Sequence, residues 1–265
     1  MKTITQNLQN LKSSLEDKPQ INIVVVTKTR SPEEIQEAIA AGATSIGENR
    51  VQEAEQKFSK IQNIEKTEKR LIGRLQSNKA KKAVKIFDTI DSVDSLKLSQ
   101  KISKAAKDLG KTQRVLLQIN SSGENTKAGF SFNNKKEILE CINMPGIKVE
   151  GLMTMGPNTK EVGLIAKSFQ KTKKLFDELN KLENVKMKTL SMGMSGDYLI
   201  AVREGSTSIR GWNSHFWATR LMLDLKNWFS PKHYKRLWNV GPPGLITSLL
   251  LIYLTLQYEA AFNIK

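Results

Sequence analysis

The sequence predicts a single (β/α)8 barrel of the TIM type with an extra N-terminal helix, followed by an atypical C-terminal tail. From residue 21 onward, short apolar runs rich in β-branched residues alternate with helical patterns, which is typical of βα units around a parallel sheet. Eight strands are predicted, each but the last followed by a helical pattern, and 265 residues suffice for such a barrel. A doubly wound open sheet is the alternative, but no strand opens into a G-x-G-x-x-G turn. The predicted strands are residues 21–27, 44–47, 70–75, 89–93, 114–120, 148–155, 188–192 and 206–210.

The segment between the first two strands, "SPEEIQEAIAAG", carries the signals of a complete helix. Ser31 is a good N-cap, Pro32 fits the first helical position, and Glu34 completes a capping box with Ser31. Gly42 follows the last helical residue, where glycine commonly ends a helix. We therefore expect a helix that begins after Ser31 and stops before Gly42.

Composition limits the classes of partner and compartment. The formal net charge of +16 suggests a polyanionic partner, but the lysines are spread over predicted helix faces, mixed with acids and without interleaved aromatics. No nucleic-acid-binding module accompanies them, so we expect a basic surface and no nucleic acid. Cys141 is the only cysteine, which excludes an intrachain disulfide and a cysteine metal cluster. The N-terminal segment has no apolar run of a secretory signal, so a cytoplasmic location is expected.

In a barrel of this kind the functional residues lie at the C-terminal ends of the strands, and Lys28 follows the end of the first predicted strand. If the mouth is partly desolvated, the pKa of this lysine falls, and the neutral amine can form an imine with an aldehyde such as pyridoxal 5′-phosphate (PLP). The alternative is a lysine that reaches past the rim into water.

The second strand brings Gly47, Glu48 and Asn49 to the same mouth. Glu48 has an alternative role facing the first turn of the next helix, where a carboxylate is favoured. Near the seventh strand, a Gly-Met-Ser-Gly turn at residues 193–196 predicts a helix whose first residues are Ser195, Gly196 and Asp197. Its free N–H groups would suit a small phosphate, although Ser195 or Asp197 could simply cap an ordinary helix.

Six motifs make residues 1–210 resemble the pyridoxal phosphate homeostasis proteins, which are related in fold to the N-terminal barrel of alanine racemase. They are "VVVTKTRSPEEIQEAIAAGATSIGENRVQEA", "RLIGRLQSNKAKKAV", "DSVDS", "QINSSGENTKAGF", "GLMTMGP" and "SMGMSGDYLIAVREGSTSIR". They occur in the family's order. Two positions depart from the pattern, because Arg70 and Asp91 stand where family members often carry histidine.

The resemblance implies a role for each of five residues in binding PLP. Lys28 holds the cofactor as an imine, Asn49 lies near it, Ser195 and Gly196 bind its phosphate, and Arg210 points at the pyridine nitrogen. A guanidinium stays protonated, so it leaves the ring nitrogen unprotonated and weakens the electron sink of carbanion chemistry. The resemblance therefore implies a cofactor-binding protein in vitamin B6 and amino-acid homeostasis, with no catalytic residue and no metal ligand.

The enzyme alternative is a PLP-dependent amino-acid racemase. Such an enzyme adds a second, β-rich domain with a catalytic tyrosine, and it needs a base on each face of its substrate. Before residue 211 there is no histidine and one tyrosine, Tyr198. The expected partners are the small-molecule cofactor and, as candidate recipients, PLP-dependent apo-enzymes, and the chain is expected to be a monomer.

A different kind of sequence begins at about Gly211. All four tryptophans and both histidines follow residue 210. A permitted set of codons for residues 212–217, read one base later, encodes Gly-Thr-Ala-Ile-Phe, which resembles what the family carries after its arginine. We therefore expect residues 211–265 to be an out-of-frame tail behind a barrel domain of residues 1–210. The alternative is an appended apolar segment, although its core of about 15 residues is short for a membrane anchor.

Overall fold

The computed structural model describes residues 4–15, 17–18, 20–123 and 128–211. In these residues eight parallel strands form a closed barrel, in which each strand pairs with the next and β8 pairs with β1. The predicted barrel and its N-terminal helix are confirmed. The strands are β1 (Asn22–Val26), β2 (Ser45–Glu48), β3 (Glu68–Leu71), β4 (Thr89–Val93), β5 (Gln113–Ile119), β6 (Ile147–Thr154), β7 (Thr189–Ser191) and β8 (Ser208–Gly211). The helices are α1 (Ile4–Ser13), α2 (Pro32–Ala40), α3 (Val51–Phe58), α4 (Ala80–Ile86), α5 (Leu96–Asp108), α6 (Lys135–Ile142), α7 (Val162–Asn180) and α8 (Tyr198–Arg203).

Two strands differ from their predicted bounds by more than one residue at an end. β3 ends at Leu71, because the chain turns at Gly73, where an added Cβ would collide with the backbone of Asn49. β8 begins at Ser208, because the backbone N–H of Ser206 donates to the Ala201 carbonyl oxygen of α8 and takes no part in the strand ladder. The end of β3 depends on a contact between distant segments, which no local pattern encodes.

The helix α2 follows its predicted signals closely. The backbone N–H of Ser31 donates to the Glu34 carboxylate at 2.8 Å, and the N–H of Glu34 donates to the Ser31 hydroxyl at 3.3 Å. Pro32 is the first helical residue, and Gly42 follows the helix with φ +85°. The predicted capping box and stop are confirmed.

Apolar side chains from the strands and the helices are buried together, among them Ile46, Leu71 and Ile90 of the strands and Ile35 and Ile102 of the helices. Because side chains alternate along a strand, the residues on either side of Leu71 take the opposite face of the sheet, which is the inside of the barrel. There Glu68 and Arg70 lie, so the interior of this barrel is polar at the level of β3.

The predicted tail lies, apart from Gly211, outside the described residues. Its frameshifted origin and its domain boundary therefore stay predictions. Within the described ranges, no helix has the length and apolarity needed to cross a membrane.

We expect Gly151→Ala to destabilise the barrel severely, because a Cβ at residue 151 would collide with the backbone of Thr189 on β7. Overpacking of this kind costs about 1–3 kcal/mol and sometimes more. The matched control is Gly163→Ala in α7, where nothing lies within 4 Å of the added Cβ. That change should stabilise the helix by up to about 1 kcal/mol. Urea denaturation of both variants checks the pair, and equal stabilities would contradict this packing of β6 against β7.

Candidate functional site

A cavity of about 730 Å³ opens at the C-terminal ends of the strands. Four of the five predicted site residues line it: Lys28, Asn49, Ser195 and Arg210. A second cavity, of about 470 Å³, lies at the opposite ends of β1 and β2 and carries none of them. The first has the size of ordinary ligand sites and the position expected in a TIM-type barrel, so it is the candidate site.

Lys28 follows β1 in a four-residue turn, which is closed by a 3.1 Å hydrogen bond from the Arg30 N–H to the Thr27 carbonyl oxygen. Its side chain is exposed. Among the described residues, none accepts a hydrogen bond from its amine or pairs with it. This exposure agrees with the alternative role, in which the Lys28 side chain reaches water. Because Lys28 also lines the cavity, its amine remains available to a ligand.

Asn49 directly follows β2 and is half-buried at the cavity. Its backbone is packed against Gly73, at a distance that no larger residue permits. The hydroxyl of Ser92 in turn donates to the carbonyl oxygen of Gly73 at 2.6 Å. The loops that follow β2 and β3 are thus locked together beside the cavity.

Glu48 takes neither of the roles open to it from the sequence. Its side chain is fully buried and accepts hydrogen bonds from the Thr27 hydroxyl at 2.8 Å and the Lys57 amine at 3.1 Å. Burial raises the pKa of Glu48, and the bonds from Thr27 and Lys57 oppose the rise. Glu48 therefore lies beneath the turn that carries Lys28, and it does not line the cavity.

The prediction that Ser195, Gly196 and Asp197 begin a helix is wrong. These three residues form a turn, and α8 begins at Tyr198. The carbonyl oxygen of Met194 accepts from the N–H groups of both Asp197 and Tyr198, and the Asp197 carboxylate takes the Met194 N–H at 2.6 Å. The side chain of Asp197 thus closes the turn and does not cap the helix. Ser195 lines the cavity, whereas Gly196 is exposed and lies outside the lining.

Arg210 is 4% exposed at the floor of the cavity. Its guanidinium donates to the Ser191 carbonyl oxygen at 3.0 Å, the Ser191 hydroxyl at 2.6 Å and the Thr154 carbonyl oxygen at 2.7 Å. Burial lowers the pKa of Arg210, but Asp91 and Asp197 oppose this, and an arginine stays protonated in proteins. The site therefore has a fixed positive charge at its base.

The two positions that depart from the family pattern are paired with each other. Arg70 donates through Nε and Nη2 to the fully buried carboxylate of Asp91, at 3.1 and 2.9 Å. Its Nη1 donates to Glu68 at 2.9 Å. Burial lowers the pKa of Arg70, but Asp91 and Glu68 outweigh this and raise it above its ordinary value. Burial raises the pKa of the Asp91 carboxyl, and the charge and hydrogen bonds of Arg70 oppose that rise. The forked donation from one guanidinium to one carboxyl group joins β3 to β4 inside the barrel.

The cavity lining includes residues that were not foreseen from the sequence, and two of them are methionines. Met155 and Met194 line the cavity and are 39% and 42% exposed, so both present apolar surface to it. Met155 directly follows β6, although the predicted strand included it, and Met194 lies three residues past the end of β7. A large apolar side chain just past a strand end was the available signal, because such a position faces the mouth of a barrel.

Comparison with known proteins identifies the family. The family model of the alanine racemase N-terminal domain matches residues 1–210. A pyridoxal phosphate homeostasis protein from Aquifex aeolicus is 39% identical over 185 residues, which cover 69% of this chain and 81% of that protein. The chain belongs to the pyridoxal phosphate homeostasis protein family. The resemblance seen in the sequence motifs is therefore confirmed.

Solved structures agree with this membership. The structure of PipY from Synechococcus elongatus with PLP bound matches with a TM-score of 0.73 and 32% identity, covering 81% of this chain and 99% of that chain. An alanine racemase from Clostridium difficile matches with a TM-score of 0.66 and 21% identity, over 79% of this chain and 55% of that chain. The racemase shares the barrel fold, and nearly half of it lies beyond this similarity.

We expect Arg70→Met to destabilise the protein by about 3–5 kcal/mol, because it leaves the buried Asp91 carboxylate without its partner. The double variant Arg70→Met/Asp91→Leu should lose much less free energy of unfolding than the sum of the losses in Arg70→Met and Asp91→Leu. Lys82→Met is the control, since it breaks the exposed pair with Glu55 and should cost at most about 1 kcal/mol. Urea denaturation measures all four, and additive losses would contradict a coupled pair.

Proposed function

We propose that this chain binds PLP at the cavity of Lys28 and Arg210 and serves intracellular PLP and amino-acid homeostasis without catalysing a reaction of its own. The carrying observation is that one cavity holds an available amine at its rim and a buried guanidinium at its floor. The relatives named pyridoxal phosphate homeostasis protein and the PLP-bound PipY structure support the choice of ligand. The alternative is a racemase-like enzyme.

The residues of the cavity fit the aldehyde, the phosphate and the ring nitrogen of PLP. When bound, PLP supplies an aldehyde that condenses with a primary amine and releases water. Lys28 offers that amine, and its exposure on the cavity wall leaves it free to move toward a ligand. Asn49, fixed by the close packing of its loop against Gly73, would bound the cavity beside the ring.

The turn after β7 suits a phosphate. No described residue accepts a hydrogen bond from the N–H of Ser195 or Gly196, although the neighbouring N–H groups of Met194, Asp197 and Tyr198 are bonded. Successive unused N–H groups in a turn form an anion-binding concavity. Ser195 reaches the cavity directly, and Gly196 would contribute from just outside its lining.

Met155 and Met194 supply the apolar surface that an aromatic ring needs. Methionine is flexible and polarizable, and its sulfur makes favourable contacts with aromatic rings. We assign to these two side chains the packing of the pyridine ring, which would bury their exposed surface when the ligand binds.

Arg210 favours binding over catalysis. Its guanidinium is held by the backbone of β6 and β7, so the group is presented in one orientation at the floor of the cavity. A guanidinium keeps its protons, and a ring nitrogen facing it would stay unprotonated, which weakens the stabilisation of a carbanion.

A racemase also needs a second base, and Tyr198 does not supply one. Its side chain is 1% exposed, and its hydroxyl donates to the Ser14 hydroxyl, just after α1, at 3.3 Å. It is not among the residues that line the cavity. Turnover of an amino acid at about 1 per second or more would contradict the non-catalytic role.

The proposal also covers the compartment, the recipients of PLP and the oligomeric state. The single cysteine, Cys141, is buried against the Ser99 hydroxyl, which fits a protein of the reducing cytoplasm. A protein that holds PLP through a reversible bond can release it, so PLP-dependent apo-enzymes are the proposed recipients, and we propose a monomer as the functional unit.

We expect borohydride treatment of the PLP-loaded protein to attach the cofactor to a single peptide, the one that contains Lys28. Lys28→Ala should lose both this label and the visible absorbance of the loaded protein, because its amine makes the reducible bond. Lys79→Ala is the control, since Lys79 lines an adjoining surface cavity and not the candidate site. Peptide mapping by mass spectrometry checks the assignment, and a label that survives in Lys28→Ala would overturn it.

A further inference from the structure

The turn that presents Lys28 is strained at the next residue. Thr29 has φ +61°, in the left-handed region that a β-branched residue rarely adopts. It occupies the third position of the turn from Thr27 to Arg30, where glycine is usual when φ is positive. Such a conformation persists only where the surroundings hold it in place.

The holding contact is a hydrogen bond from outside the turn. The backbone N–H of Thr29 donates to Glu53 Oε1 of helix α3 at 2.7 Å. A carboxylate is a stronger acceptor than a neutral oxygen, so this is a charge-assisted bond. It reaches the residue directly after Lys28.

Glu53 is itself fixed by Lys57, one turn along the same helix. The Lys57 amine donates its three hydrogen bonds to Glu53 at 2.6 Å, to Glu48 at 3.1 Å and to the Thr27 carbonyl oxygen at 2.9 Å. An ammonium has three protons, so every donor of Lys57 is used. With side chains of Lys57 and Glu48 only 12% and 0% exposed, the arrangement has little freedom to rearrange.

We propose that Glu53 is a positioning residue for Lys28: by holding the Thr29 N–H it fixes the strained turn, so that the Lys28 amine faces the cavity. This inference rests on the proposed function, in which Lys28 bonds the aldehyde of PLP. Glu53 touches neither the ligand nor the amine. Its removal should therefore weaken the step in which Lys28 forms its bond, and leave the binding of phosphate and ring unchanged.

The test compares two ligands in the full chain, PLP and 4′-deoxypyridoxine 5′-phosphate, which lacks the aldehyde. Glu53→Ala should weaken PLP binding about 10- to 100-fold, the loss expected for one charge-assisted hydrogen bond. The affinity for the deoxy ligand should stay at the wild-type value, which also shows that the variant is folded. Glu53→Gln keeps an oxygen for the Thr29 N–H and should recover part of the loss.

Glu55→Ala is the matched control, because Glu55 is an exposed glutamate of the same helix that pairs with Lys82 on α4. It should leave both affinities unchanged. Amide hydrogen exchange of the unloaded protein gives a second readout, since the Thr29 N–H should exchange faster in Glu53→Ala than in Glu53→Gln.

Three results would overturn the inference. Unchanged PLP affinity in Glu53→Ala would show that the turn holds without Glu53, and an equal loss for both ligands would show a general structural role. If the wild-type chain bound both ligands equally and borohydride attached nothing to Lys28, the bond between Lys28 and PLP would be ruled out, and this positioning role with it; the proposed function as a whole would fail if the chain bound neither ligand.

Discussion

The burial of the Arg210 charge is the constraint on which the interior of this barrel depends. A guanidinium that is 4% exposed must have its donors satisfied and its charge compensated. Carbonyl oxygens of Thr154 and Ser191 accept its hydrogen bonds, so β6, β7 and β8 are tied to one another at the floor of the cavity.

The charge of Arg210 is opposed by two carboxyl groups, those of Asp91 and Asp197. Asp91 is buried as well and needs Arg70, which in turn binds Glu68. One buried cation thus accounts for a chain of polar residues across the barrel.

Sequence patterns predicted what depends on local chemistry and failed where distant segments meet. The capping box of Ser31 and Glu34 and the apolar strands are local, and the parallel barrel then brought Lys28, Asn49, Ser195 and Arg210 to one mouth. The pairing of Arg70 with Asp91 joins residues 21 positions apart, so it was visible only as two separate departures from the family pattern. The start of α8 was misplaced because the Asp197 side chain turns back to the Met194 N–H, which a glycine–serine turn does not reveal.

Thr29 shows why the details of the site could not be predicted. The segment "TKTR" carries none of the residues that usually mark a positive φ, so nothing in it indicates a strained turn. The conformation is imposed by Glu53 and Lys57, which lie on the next helix and would otherwise read as an ordinary i, i+4 ion pair on a helix surface. Similarly, Glu48 looked like a residue of the mouth, yet it lies under the turn as a partner of Lys57.

The hydrogen bonds around Arg210 make the floor of the cavity rigid, whereas those around Glu53 and Lys57 leave the Lys28 side chain at the rim accessible. The floor is fixed, because the Arg210 guanidinium donates to backbone carbonyl oxygens of Ser191 and Thr154, and the buried Asp91 of β4 opposes the cost of burying its charge. The rim is different, since Lys28 is exposed and only the backbone beside it is clamped. In the proposed function, the ring nitrogen would face Arg210 at this fixed floor, while the phosphate at the Ser195 turn and the amine of Lys28 would lie toward the mouth, where water has access. An enzyme that excludes water and adds a base on each face of its substrate is built differently. This arrangement of floor and rim supports the proposed role of holding and releasing PLP.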